Sequence, residues 1–107
     1  MAIDVKQKQA KIRFNYNEAM ARAKELEEIS SDLKRVQDEL EDALQPLRNG
    51  WTGESAERYY RKGALLESQI GKSAREAKTT ADDIRKIANK VMRIEMANLQ
   101  LATNRGS

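Results

Sequence analysis

The sequence predicts an all-α fold: an antiparallel hairpin of two helices, over about 5–45 and 53–101, that pairs into a four-helix-bundle dimer. Three observations lead there. Apolar and small residues recur in steps of three and four through both halves of the chain. Loop formers are scarce, with one proline and five glycines among 107 residues. The lone tryptophan opens Trp51-Thr52-Gly53, almost midway between the two periodic stretches, where a turn is required. The chain reads as a single hairpin domain, 1–107.

In the first half the stripe runs Val5, Ile12, Tyr16, Ala19, Ala23, Leu26, Ile29, Leu33, Val36, Leu40, Leu44 and Leu47. This spacing keeps one side of a helix against one partner, as in a coiled-coil seam. Pro46 lacks an amide hydrogen and crowds the preceding turn, so the helix is expected to stop or kink just before it. Leu47-Arg48-Asn49-Gly50 is then expected to carry the reversal, since Asn and Gly accept left-handed backbone angles.

In the second half Thr52 is the expected N-cap, with Glu54 and Glu57 where the helix dipole favours negative charge. The stripe continues through Ala56, Tyr59 or Tyr60, Gly63, Leu66, Ile70, Ala74, Ala77, Ala81, Ile84, Ala88, Val91, Glu95 and Leu99. The expected contacts between helices fall on Leu26, Leu33, Val36, Leu40 and Leu44 of the first, and on Tyr59, Tyr60, Leu66, Ile70, Ile84 and Val91 of the second. Gly63 and Gly71 each cost about 1 kcal/mol of helix propensity against alanine, and close approach of the facing helix is the expected compensation.

Charge supports the same reversal. Glu25 to Asp42 holds eight acids against Lys34 and Arg35, whereas Arg58 to Lys78 holds six bases against Glu67 and Glu76. Folding back near residue 50 sets the blocks side by side, although exposed pairs contribute only about 0.2–1 kcal/mol each. At the remote end Lys6, Lys8, Lys11 and Arg13 approach Arg85, Lys86, Lys90 and Arg93. Only Phe14 and Tyr16 are nearby aromatics, so this end reads as a solvated basic face rather than a nucleic-acid platform.

Composition removes several function classes. Cysteine and histidine are absent, which takes away disulfides, thiolate ligands and the commonest general base. No glycine-rich phosphate cradle occurs, and the serines have no base partner in view. An enzyme is not expected, nor is a cofactor or metal. No segment approaches the roughly 18 consecutive apolar residues of a membrane span, so no stable membrane insertion is expected. The N-terminus lacks the apolar core of a secretory signal peptide.

Two helices alone leave Ile3, Phe14, Met20, Leu65, Ile87, Met92 and Ile94 with little to pack on. A small domain without disulfide or metal buries too little surface for comfort, and association is the usual remedy. A homodimer or a heterodimer with a related helical chain satisfies the pattern equally well.

With helix, Trp-x-Gly turn and second helix in about one hundred residues, the chain resembles the WXG family of small bacterial type VII secretion proteins along its whole length. The matching residues are Trp51 and Gly53 at the turn, Ala56 just after it, and Tyr59 or Tyr60 at the start of the second helix. The resemblance implies head-to-tail pairing and export without a cleaved signal by a membrane-bound secretion ATPase. It also implies that Trp51 and Gly53 form the turn half of an export signal. The family's second element, Tyr-x-x-x-Asp/Glu near the C-terminus, is replaced here by Val91-x-x-x-Glu95, which keeps the spacing and the acid but lacks the aromatic. That departure favours a partner that supplies the missing half. The corresponding alternative is a chaperone-like adaptor, cytoplasmic rather than exported, for the helical N-terminal domain of a larger secreted toxin. A type III secretion needle-like subunit and a generic coiled-coil scaffold are the remaining readings.

Overall fold

The computed structural model of the chain describes residues 4–105 and consists of two long helices, α1 (Val5–Gly50) and α2 (Glu54–Arg105), with no strand among the described residues. Ile3, Gly106 and Ser107 lie outside the described residues. Both helices are dominated by strong helix formers, chiefly Ala, Leu, Glu, Lys, Arg and Gln. Asp4 starts α1: its carboxylate accepts the Gln7 amide at 3.0 Å and its carbonyl the Lys8 amide at 3.1 Å.

The chain divides into two compact units. A hairpin unit comprises Leu26–Thr79, and a terminal unit is built from 4–25 and 80–105.

In the hairpin unit the C-terminal half of α1 reverses into the N-terminal half of α2. The reversal lies later than the sequence reading places it. Pro46 sits inside α1, which continues to Gly50 and closes with the Trp51 amide on the Leu47 carbonyl at 2.8 Å. A proline removes one helical hydrogen bond and crowds one carbonyl, a loss that a solvent-exposed segment absorbs. Arg48 braces the segment, reaching back seven residues to hold both oxygens of Glu41 at 2.6 and 3.3 Å. The cap of α2 also differs from expectation. Gly53, with φ +113°, occupies it in place of Thr52, and its carbonyl takes the Glu57 amide at 3.0 Å. Only glycine adopts that backbone angle without strain.

The seam of the hairpin unit is partly polar. In α1 the facing positions are Leu26, Ser30, Leu33, Gln37, Leu40 and Leu44, which alternate steps of four and three. Ile29, Val36 and Leu47, expected in the seam, stand beside it and are exposed. Their places are taken by polar side chains that bond to the facing backbone. Ser30 is buried and its hydroxyl donates to the Ala74 carbonyl at 2.7 Å; the Gln37 amide donates to the Glu67 carbonyl at 2.9 Å. In α2 the seam positions are Ala56, Tyr60, Gly63, Glu67, Ile70 and Ala74, while Tyr59 and Leu66 are exposed. The close approaches at the two glycines involve side chains rather than backbone. A methyl on Gly63 would lie 2.6 Å from Leu44 Cδ1, and one on Gly71 would lie 2.5 Å from the Gln37 amide nitrogen.

In the terminal unit the buried apolar residues are Ile12, Ala23, Ala81, Ala88 and Leu99. Tyr16, Ile84, Met92 and Glu95 are half-buried, whereas Ile87, Val91, Ile94 and Leu101 are exposed.

Gly63→Ala is expected to lower stability by about 1 kcal/mol, because crowding the buried Leu44 costs about 1–3 kcal/mol against a helix-propensity gain near 1. Gly50→Ala meets open space and a negative φ, and should raise stability by up to about 1 kcal/mol. Urea unfolding of the two variants checks the contrast.

Candidate functional site

The turn is an aromatic cluster fixed to backbone. Tyr60 projects from the first turns of α2, and its hydroxyl lies 2.6 Å from both the Leu47 and the Trp51 carbonyls, sharing its single proton between them. The phenol thereby gives the Leu47 carbonyl a second donor beside the Trp51 amide, and gives a donor to the Trp51 carbonyl past the end of α1. Burial, then the nearby charge of Glu57, push the Tyr60 phenol above its ordinary range, with Arg48 acting the other way. Trp51 meets Tyr59 at 5.4 Å between ring centroids and Tyr60 at 6.0 Å, the latter edge-on, and the two tyrosines meet edge-on at 6.4 Å. Such pairs contribute about 0.5–1.5 kcal/mol each beyond their burial. Trp51 is nevertheless 40% exposed and Tyr59 49%. The indole is held in position by the cluster and is not buried in a core.

Beside the turn, an acid pair shares one cation. Glu41 and Glu67 approach each other across the seam, and the Oε1 atom of Glu67 is buried with no donor in reach. Hydrogen bonds from Arg48, then the interaction with Glu67, hold Glu41 below the usual carboxylate range. Glu67 moves the opposite way, raised first by the hydrogen bond to Glu41 that it makes only when protonated, then by burial and by the charge on Glu41. Bonding to Glu41 in turn raises Arg48. Sequence reasoning missed Ser30, Gln37 and Glu67 as seam residues, although the sevenfold spacing of residues 16, 23, 30, 37 and 44 in α1 and of 60, 67 and 74 in α2 carried the signal.

The sequence-predicted contact residues fall into three groups. Leu44 is buried; Leu26, Leu33, Leu40, Tyr60, Ile70 and Ile84 are half-buried; Val36, Tyr59, Leu66 and Val91 are exposed. In the terminal unit a groove of about 250 Å³ is lined by Ile12, Tyr16, Ile84, Ile87, Val91 and Glu95 among others. Val91 and Glu95, one turn apart, both open onto it. Among the described residues no cluster of His, Cys, Asp or Glu could hold a metal ion, and no helix is long and apolar enough to cross a membrane.

Two long helices that reverse at an aromatic Trp-x-Gly turn define a class of small helical-hairpin proteins. The family model for proteins of 100 residues with WXG matches residues 11–96, and the chain belongs to this WXG100 family. No curated protein and no solved structure matches it. The family comprises bacterial secreted proteins that commonly pair with related helical partners and are not known as enzymes. The chain is therefore a small type VII secretion-associated protein.

Tyr60→Phe should cost about 0.5–1.5 kcal/mol, the ordinary net value of a lost hydrogen bond, measured by urea unfolding. Glu67→Gln is expected to stabilise the fold at neutral pH. The raised Glu67 contributes most when protonated, and its contribution is lost as pH rises above 4.5 through its folded value. The variant's advantage in melting temperature should therefore be present at pH 7, shrink as the pH falls through the raised folded value of Glu67 towards 4.5, and be absent below it.

Proposed function

We propose that this chain is a non-enzymatic substrate or component of a bacterial type VII secretion system, and that it works as one half of a four-helix bundle. One observation carries the reading: the helices bury mostly alanine against each other and leave their large apolar residues outside. In the hairpin unit the exposed set includes Ile29, Val36, Leu47, Trp51, Tyr59, Leu65 and Leu66; in the terminal unit it includes Phe14, Ile87, Val91, Ile94 and Leu101. On α2, residues 59 and 66 of the hairpin unit, and residues 87, 94 and 101 of the terminal unit, recur every seven positions, the spacing of a further helix seam in each. The partner is another copy of the chain or a related helical protein. The complex leaves the cytoplasm without a cleaved signal peptide, engaging a secretion ATPase through a surface to which Trp51 and Gly53 contribute.

A second reading, an adaptor that completes the export signal of a toxin's helical N-terminal domain, is favoured by the groove of the terminal unit. Val91 and Glu95 line it, and no tyrosine stands at position 91. A helix docked in the groove from another chain supplies the aromatic that this chain lacks.

Light scattering of the purified chain should give the mass of a dimer. Val36→Asp combined with Ile94→Asp should halve that mass while preserving helix content, because both positions are exposed within their own units and surface changes there cost little. A monomeric wild type would rule out the homodimer and leave the heterodimer and adaptor readings. In a secretion assay, Trp51→Ala should retain its helical circular dichroism and abolish export. Undiminished export of that variant would remove the turn from the signal.

A further inference from the structure

The acidic and basic blocks of the hairpin unit do not face each other. On α2 the seam runs through Ala56, Tyr60, Gly63, Glu67, Ile70 and Ala74, so Arg58, Arg61, Lys62 and Lys72 fall on the side turned away from α1. All four are exposed, and among the described residues none of them makes an ion pair or a side-chain hydrogen bond. On α1 the seam positions likewise turn Glu28, Asp32, Asp38, Glu39 and Asp42 outward, away from α2. Only Asp32 of these is engaged, by Arg35 of its own helix at 2.9 Å. Two helices each about 10–12 Å wide separate the two rows by about 20 Å, twice the screening length of about 10 Å at 0.1 M salt. The charge complementarity visible in the sequence is therefore left unused inside the hairpin unit.

We propose that copies of this chain associate edge to edge, with the basic outer row of α2 in one copy docked on the acidic outer row of α1 in the next. The two rows match in reach. From Arg58 to Lys72 the basic row is about 21 Å long, and from Glu28 to Asp42 the acidic row is likewise about 21 Å, at 1.5 Å per residue. Each copy carries one row of each sign on opposite edges, so a contact uses the basic edge of one copy and the acidic edge of another. Such a contact is heterologous: it leaves one row of each sign free and continues until a ring closes or growth stops. Exposed ion pairs are individually weak, so the association depends on the whole row and on low ionic strength. It uses the outer edges of the helices rather than the exposed apolar sets, and it does not depend on the dimer proposed above.

Sedimentation velocity of the full chain in about 10 mM and about 1 M sodium chloride, where the screening lengths are about 30 and 3 Å, tests the proposal. At low salt the weight-average mass should climb with concentration to about twofold or more above the high-salt species, which itself reports whether the apolar sets have paired. Arg58→Glu, Arg61→Glu and Lys62→Glu together make both edges acidic, and Asp38→Lys, Glu39→Lys and Asp42→Lys together make both edges basic. Each triple variant should keep its helical circular dichroism and stay at the high-salt mass, and mixing the two should restore growth. Growth by either variant alone, failure of the mixture to associate, or a wild-type mass unchanged by salt would overturn the proposal. So would binding of the wild type to phosphatidylserine vesicles or duplex DNA without growth of the protein alone, since the basic row would then belong to an anionic partner.

Discussion

Close approach of the two helices is the constraint from which the rest follows. Of the eight apolar residues buried among the described ones, Ala23, Ala56, Ala74, Ala81 and Ala88 are alanines, and in the hairpin unit Gly71 is buried too. Small residues let helices draw together, but a methyl group removes little apolar surface from water, and hydrophobic stabilisation scales with that surface. What tightens the hairpin unit further is polar. The Ser30 hydroxyl and the Gln37 amide, bonded to carbonyls of α2, tie the helices at fixed register. A chain that spends its seam on alanine, glycine, serine and glutamine must carry its bulky side chains elsewhere. The exposed Ile29, Val36, Leu66, Ile87, Ile94 and Leu101 are the result.

The sequence made the architecture legible because two features agree: a three-and-four periodicity through both halves, and a single tripeptide that breaks it. It was less informative about which residues fill the seam. Hydropathy selects Ile29 over Ser30, Val36 over Gln37 and Leu66 over Glu67, since in each pair the neighbour is the greasier residue. Geometry selects the other member, because the seven-residue repeat that passes through Tyr16, Ala23 and Leu44 also passes through Ser30 and Gln37. Reading the repeat before the hydropathy would have found the polar clamps. The boundary at Pro46 misled for a similar reason: the proline rule describes one lost hydrogen bond, whereas Glu41 and Arg48 stabilise the helix on both sides of the gap.

At the turn the sequence identified Trp51 and Gly53 but left open which tyrosine would serve the turn. The two divide the work. Tyr60 points inward and fixes the backbone on both sides of the reversal through one hydroxyl, while Tyr59 stays outside and packs on the indole. Gly53 is required for its backbone angle and makes no side-chain contact, whereas the tryptophan is presented to solvent with its orientation fixed by neighbours. The rigid part of the motif and the displayed part are thus carried by different residues. This agrees with the family to which the chain belongs, whose name keeps only the first and last positions of the tripeptide.

The solitary indole also determines what an optical experiment on this chain can see. Trp51 lies in the hairpin unit against two phenols, and the terminal unit contains no second tryptophan. Emission from the intrinsic fluorophore therefore monitors the reversal alone, while far-ultraviolet ellipticity averages over every helical residue of both units. Where the two signals part company along a denaturation curve, the gap measures how independently the remote ends of α1 and α2 come undone.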